Sequence, residues 1–269
     1  IVAISSYASY FWQPIMNLGN IFNNFINNIA YLERIFETMD EPVTVKDAEN
    51  AEKMPEIRGE VTFDHVNFSY DESKQILKDV SFTVKPGESV ALVGPTGAGK
   101  STIVNLISRF YNVNGGRVLI DGQDISQVTI HSLREQMGIM MQDSFIFSGD
   151  IEDNIRYGKL DATHEEIVKA SRTVCADEFI SKMPDRYQTE VRERGSMLSQ
   201  GQKQLISFAR TLLSDPAILI LDEATSSIDV QTEKALQTGL NAMLKGRTSF
   251  IIAHRLSTIR NCDKIMYID

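Results

Sequence analysis

An eight-residue loop rich in glycine constrains this chain more than any other feature of its sequence. Residues 94–101 read Gly-Pro-Thr-Gly-Ala-Gly-Lys-Ser, which fits the phosphate-loop pattern G-x-x-x-x-G-K-[ST]. Apolar runs at 89–93 and 102–107 flank it, so the loop is predicted to join a strand to the start of a helix. Backbone N–H groups at such a junction bind phosphate, Lys100 reaches the β- and γ-phosphates, and Ser101 reaches Mg²⁺. The sequence therefore predicts a nucleoside triphosphate site.

Composition limits the partners that the chain can have. Its 269 residues are enough for a nucleotide-binding domain and an appendage. The net charge of −9 argues against a nucleic-acid partner, which would need a basic face. Cys175 and Cys262 lie far apart without metal-ligand spacing, so reduced thiols are expected. The chain begins without Met and ends inside the strand-like run 264–269, and we expect it to be part of a longer protein.

Residues 1–40 carry an apolar stripe at helical spacing. An ordinary amphipathic helix that packs on a neighbour and a helix that emerges from a membrane both fit this pattern. No apolar run reaches the roughly 20 residues that a membrane span needs. Pro42 is expected to end the helix, and 41–56 is predicted to be a linker. The stripe consists of Leu18, Phe22, Phe25, Ile29, Leu32, Phe36 and Met39.

The remainder, 57–269, is predicted to be one α/β domain. Alternating apolar residues over 61–70 change phase near His65, which predicts a bulge in an antiparallel β subdomain. Almost continuously apolar runs such as 217–221 and 249–253 are typical of parallel strands covered on both faces. Helical patterns dominate about 143–213, and we predict an inserted helical subdomain there. The predicted fold is a P-loop NTPase core with a mainly parallel sheet, preceded by an amphipathic helix.

Polar side chains follow three of the predicted strands. Asp222 and Glu223 come after a buried strand, and a carboxylate at that position is suited to Mg²⁺, while the next can activate water. His254 and Gln142 also follow strands. We predict that His254 contacts the γ-phosphate and that the Gln142 amide serves the metal and the water.

A second helix start is predicted at the segment Leu198–Gln202, which reads Leu-Ser-Gln-Gly-Gln. Ser199 and Gln202 have the spacing of a capping box, as do Thr163 and Glu166. A small hydroxyl and a glycine at a helix tip favour an anion. Two phosphate-binding helix tips in one chain favour a dimer that holds nucleotide between its subunits.

These motifs, in this order, resemble the ATP-binding-cassette (ABC) family from about residue 57 to the end. The resemblance implies ATP and Mg²⁺ as ligands, with Tyr70 stacked on adenine and Ser101, Gln142 and Asp222 at the metal. It implies that Glu223 is the general base and that Asp229 communicates between two sites. The implied phosphate-loop contacts are Gly94, Pro95, Thr96, Gly97, Ala98, Gly99, Lys100, Ser101 and Thr102. The implied signature, which closes over the partner subunit's ATP, comprises Leu198, Ser199, Gln200, Gly201 and Gln202.

Two further segments resemble exporters of this family. Residues 189–195 are similar to the segment that contacts the transmembrane helices, and 32–36 to the end of the last transmembrane helix. The resemblance implies a half-transporter of the multidrug or lipid export type in the cell membrane, with this portion cytoplasmic. It implies that the cassettes drive export of a drug, lipid or peptide. The sequence does not identify that substrate.

One residue departs from the family pattern. The signature usually carries Gly where this chain has Gln200, and exporters built from two unlike subunits often show such a change. The sequence therefore favours a second, different half-transporter as partner, although a homodimer is also possible. Two alternatives stay open: a soluble cassette ATPase of DNA repair or translation, and a regulatory module that binds ATP without hydrolysing it.

Overall fold

The computed structural model describes residues 2–71, 74–141, 144–191, 195–222, 230–253 and 256–269. The chain divides into two compact units, 1–44 and 45–269. The predicted linker, 41–56, is therefore shared between the units, and its part from residue 45 onward belongs to the larger one.

The first unit is dominated by one long helix, α1 (Val2–Met39), which contains Pro14. Asp40 N donates to Phe36 O at 2.8 Å, and the helix ends two residues before Glu41-Pro42. Every member of the predicted apolar stripe lies on this helix and is exposed. Among the described residues, no helix combines the length and apolarity needed to cross a membrane.

An antiparallel sheet begins the second unit. Its strands lie in the order β2-β1-β4-β5. The predicted bulge in β1 is confirmed, because the pairing with β2 shifts between Phe63 and Val66 and His65 has a φ of 52°. The strands are β1 (Val61–Ser69), β2 (Gln75–Val84), β4 (Gly115–Ile120) and β5 (Gln123–Asp124).

A parallel sheet forms the centre of the second unit, as predicted. Its strands follow the order β11-β3-β10-β9-β6, and every pairing between them is parallel. Neighbouring residues of one strand pack on opposite faces: Phe250 packs with the antiparallel sheet and Ile251 with the helices of the other face. The strands are β3 (Ser89–Val93), β6 (Met137–Met140), β9 (Ile218–Asp222), β10 (Thr248–Ile252) and β11 (Lys264–Tyr267).

Helices cover both faces of this sheet. Two of them, α2 (Lys100–Ile107) and α3 (Ile130–Arg134), contact β10 and β6 respectively. Within its described residues, the region predicted to be helical contains four more α-helices together with a short antiparallel pair, β7 (Gly149–Asp150) and β8 (Glu190–Val191). Those four are α4 (Ile151–Arg156), α5 (His164–Thr173), α6 (Asp177–Ile180) and α7 (Gln200–Leu213), and they are followed by α8 (Val230–Leu244) and α9 (Leu256–Arg260).

Candidate nucleotide site

The glycine-rich loop joins β3 to α2, in the arrangement that the sequence predicts. Gly94 has a φ of 148°, and a Cβ atom there would lie 2.1 Å from the carbonyl oxygen of Ile268. Gly99 is the N-cap of α2 and is left-handed, with a φ of 103°. Gly97, with a φ of 85°, has no atom within 4 Å of the place where a Cβ would project. The glycines thus allow a tight turn and leave open space beside the loop backbone.

The Lys100 side chain folds back over this loop. Its Nζ donates to the carbonyl oxygens of Gly94 at 2.9 Å and Pro95 at 2.8 Å. The hydroxyl-bearing Ser101 lies in the first turn of α2 and is exposed, whereas Thr102 is buried. The Lys100 ammonium thus lies on the loop that leads into the N-terminal end of α2. Because that helix end carries a partial positive charge, this part of the loop favours an anion.

Tyr70 lies beside the start of α2. Its hydroxyl is 3.2 Å from Thr102 Oγ1 and accepts from Asn105 Nδ2 at 3.4 Å. The ring is nearly perpendicular to those of Phe68 and Tyr111, with centroid distances of 4.8 and 4.9 Å. Tyr70 remains 48% exposed, so its anchored ring keeps surface for a planar ligand.

The carboxyl ends of four neighbouring strands lie at one edge of the parallel sheet. Ile252 of β10 pairs with Leu92 of β3 and with Asp222 of β9, and Met140 of β6 pairs with Leu221. At the usual strand separation, Asp222 lies roughly 10 Å across the sheet from Leu92, two residues before the loop. The structure therefore brings the predicted metal-binding carboxylate to the edge that carries the phosphate loop.

Several predicted site residues lie outside the described residues. β6 leads to Gln142, β9 to Glu223 and β10 to His254, and these three residues together with Asp229 are among them. Their proposed roles rest on the sequence and on the strands that precede them.

The chemistry of the donors present fits a Mg²⁺ ion delivered with a nucleotide. Ser101 offers a hydroxyl and the half-buried Asp222 a carboxylate, and both are hard oxygen donors. In the part of the chain that the structure describes, no cluster of three or more His, Cys, Asp or Glu side chains could hold a metal ion. Magnesium commonly binds through one or two protein oxygens plus substrate phosphates and water.

The signature segment forms a second helix N-terminus. Ser199 caps α7, since its side chain accepts from Gln202 N at 3.2 Å while Gln202 Oε1 accepts from Ser199 N at 2.9 Å. Ser199 is exposed, Gln200 is half-buried and is the first residue of α7, and Gly201 is buried. Over the described ranges, no hydrogen bond or ion pair joins 198–202 to the phosphate loop. The two helix tips are therefore separate features of the chain.

The structure adds residues that sequence reasoning missed. The Tyr111 ring packs edge-on against the Tyr70 ring, and Asn105 donates to the Tyr70 hydroxyl. The aromatic pair Phe110-Tyr111, which begins three residues after the apolar run at 102–107, was the available signal, because aromatic side chains often pack against one another.

Comparison with known proteins gives a consistent assignment. A family model described as ABC transporter matches residues 77–226, more than half of the chain. A solved structure described as a bacterial Atm1-family ABC exporter with ATP bound has a TM-score of 0.81 and 43% sequence identity to this chain. The match covers 96% of this chain and 45% of that one.

Curated relatives match along nearly the whole chain. The uncharacterized ABC transporter ATP-binding protein YknV of Bacillus subtilis is 54% identical over 268 residues, which is 100% of this chain and 44% of that protein. The fatty acid ABC transporter ATP-binding/permease protein of Mycobacterium tuberculosis is 45% identical, covering 100% of this chain and 42% of its own. ATP-binding cassette sub-family B member 6 of Homo sapiens is 42% identical, covering 99% and 32%. The chain thus spans less than half the length of these relatives.

Proposed function

This chain belongs to the ABC transporter family and carries that family's ATPase domain, and from that premise we propose that it powers an exporter by binding and hydrolysing Mg–ATP. The observation that carries the proposal is the shared strand edge, where β3 leads into the phosphate loop and β9 ends at Asp222. Ligands of open parallel sheets bind at the carboxyl ends of the strands.

Three parts of the chain form the proposed ATP-binding site. The half-exposed Tyr70 ring stacks on adenine, and its anchoring to Thr102 keeps it at the N-terminal end of α2. Loop residues 94–102 hold the phosphates through backbone N–H groups, and Lys100 adds a charge-assisted bond. Ser101, Gln142 and Asp222 provide the oxygen donors for Mg²⁺.

Hydrolysis is assigned to the residues that follow β9 and β10. Glu223 comes directly after Asp222 and acts as general base on the attacking water. His254 holds the γ-phosphate from the adjacent strand. This assignment is supported by the register in which Asp222 pairs with Ile252, because that register brings the carboxyl ends of β9 and β10 to the same edge of the sheet.

We further propose that two cassettes form each complete site. Ser199 and Gly201 lie at a capped, dipole-bearing helix tip that is not bonded to its own loop, and this tip would close over the ATP of a partner subunit. Asp229 would communicate between the two sites. Gln200 carries a side chain where closest approach favours glycine, so a different half-transporter is the favoured partner.

The membrane side of the proposal rests on α1 and on the names of the relatives. ATP-driven closure would act on α1 through the chain that connects it to the cassette, and residues 189–195 would contact the transmembrane portion. The chain would then be the cytoplasmic part of a multi-pass membrane exporter. One relative is named a fatty acid ABC transporter and another a putative multidrug export protein, so an apolar or amphipathic substrate is the favoured class.

ATP-dependent dimerisation tests this proposal. The Glu223→Gln variant is mixed with Mg–ATP, and its mass is measured by light scattering. The same measurement is made on the double variant that also carries Gln200→Gly. We expect weak self-association that Gln200→Gly strengthens, because the glycine permits closer approach to phosphate. Gln200→Ala is the matched control and should remain weak. Equal dimerisation of all three variants would contradict the heterodimer, and no ATP-dependent dimer in any of them would contradict the shared site.

A further inference from the structure

The segment just after α2 anchors the chain that leads to α1. Arg109 leaves the helix with a φ of 51°, and its side chain is only 3% exposed. The guanidinium donates to the carbonyl oxygens of Val128 at 2.5 Å, Lys46 at 3.1 Å and Ser126 at 3.2 Å. Asp47 lies 3.9 Å away and balances part of the charge. One buried cation thus joins the end of the phosphate-loop helix to residues 46 and 47.

Residues 45–54, which we call the strap, are bonded along their length to the same part of the cassette. Asp47 Oδ1 accepts from Ile130 N at 2.8 Å. Glu52 N donates to Gln127 O at 3.0 Å, and Glu52 O accepts from Thr129 N at 2.8 Å. Met54 N donates to Ser132 Oγ at 2.8 Å. The strap is therefore a fixed part of the cassette rather than a loose tether.

Two residues after Arg109, the same segment contacts Tyr70, the residue predicted to stack on adenine. Tyr111 packs edge-on against Tyr70, with ring centroids 4.9 Å apart and planes at 85°. Tyr111 is 41% exposed, so contacts with protein hold only part of its surface. Because the two rings are in contact, a change in the position of the Tyr70 ring acts directly on Tyr111.

The backbone between these two residues is held tightly. Arg134 donates to the carbonyl oxygens of Ser108 at 3.0 Å and Arg109 at 2.8 Å. Its guanidinium also lies 4.6 Å from the centre of the Phe110 ring, a cation–π contact. Phe110 N donates to Asn105 O at 2.9 Å. Because 108–110 is held in this way, the backbone from Arg109 to Tyr111 forms one rigid segment, and the same bonds position both side chains.

We propose that Arg109 and Tyr111 are positioning residues that couple nucleotide seating on Tyr70 to the strap. The relay runs from Tyr70 through Tyr111 and Arg109 to Lys46 and Asp47, and from there along the chain to α1. This relay rests on the proposed function and extends it, because it names the side chains that connect bound ATP to the strap. Neither residue belongs to the phosphate loop 94–101, and their effect is on the strap.

Hydrogen–deuterium exchange of the strap tests the relay in the full chain, kept in detergent micelles because α1 exposes apolar side chains. In the wild type, Mg–ATP should slow exchange across 45–54. Arg109→Gln should raise strap exchange in the absence of nucleotide by about tenfold or more, because bonds to a charged donor are lost. At Mg–ATP concentrations that saturate its own binding, Tyr111→Leu should leave that basal exchange unchanged but abolish the response to ATP. Tyr111→Phe keeps the ring and should restore the response.

Failure of the proposed function and failure of the relay give different results. A wild-type chain that binds no Mg–ATP would contradict the proposed function itself. A chain that binds Mg–ATP while Tyr111→Leu and Tyr111→Phe respond like the wild type would overturn the relay alone. Normal basal strap exchange in Arg109→Gln would likewise overturn it. If Arg109→Gln does not fold, the Tyr111 pair decides the question.

Discussion

The Nζ atom of Lys100 lies 2.9 Å from the carbonyl oxygen of Gly94, so one side chain spans the whole phosphate loop. A second bond to Pro95 O, at 2.8 Å, holds it there. An ammonium carries three N–H donors, so a phosphate oxygen can be added to these carbonyl partners or exchanged for one of them. The loop is thus shaped by the residue that is proposed to bind its ligand.

Removal of this ammonium is expected to weaken ATP binding strongly. Lys100→Ala should lower ATP affinity by about 10- to 100-fold, because a hydrogen bond to a charged group contributes roughly 1.5–3 kcal/mol. Titration calorimetry measures the affinity. Lys245→Ala, which removes an exposed lysine from the opposite end of the sheet, is the control and should bind normally. Equal affinity in both variants would remove Lys100 from the site.

Two glycines of left-handed conformation should differ sharply when replaced by alanine. Gly94→Ala would place a Cβ 2.1 Å from Ile268 O, whereas Gly87, with a φ of 79°, has nothing within 4 Å. Gly87→Ala should cost only the conformational term of about 1–2 kcal/mol in unfolding free energy. Gly94→Ala should cost more and weaken ATP binding too. Chemical denaturation and ATP titration of the two variants check this, and similar values would contradict the crowding at Gly94.

The Tyr70 ring and its hydroxyl have separable roles. Tyr70→Ala should weaken ATP binding by roughly 1–2 kcal/mol through lost stacking. Tyr70→Phe keeps the ring but loses the contacts of the hydroxyl with Thr102 and Asn105, and it should retain most of the affinity. Fluorescence titration with ATP measures both variants. An unchanged affinity in Tyr70→Ala would show that the ring does not stack on adenine.

Two capping boxes of the same kind provide a matched test of the signature. Thr163 caps α5 and Ser199 caps α7, and each accepts from the backbone N–H three residues on. Thr163→Ala and Ser199→Ala should each lower the unfolding free energy by about 1 kcal/mol. Only Ser199→Ala should also lower ATP turnover. A similar loss of turnover in both variants would show that stability alone explains the effect.

Local patterns predicted much of this fold. They predicted the bulge at His65, both capping boxes and the apolar parallel strands, because each of these depends on residues close in sequence. They did not predict the start of β2 at Gln75 or the short pair β7–β8, since the apolar patterns there are weak and the pairing partners are distant.

The strap is the clearest limit of sequence reasoning. Residues 45–54 are polar and were predicted to be linker, yet their backbone bonds reach across about 80 positions to 127–132. Nothing in the local composition indicates those partners. Likewise, Arg109 is an ordinary basic residue in the sequence, and only the fold shows that it is buried among carbonyl groups.

The most direct test of the account is ATP turnover by Glu223→Gln beside its binding of ATP. Both are measured on the assembly that co-purifies with the tagged chain, and Glu165→Gln, on the exposed side of α5, is the control. We predict that Glu223→Gln binds Mg–ATP normally and loses turnover by about 10²–10⁴-fold, as expected when a general base is removed. Turnover at the wild-type rate in Glu223→Gln would contradict the account.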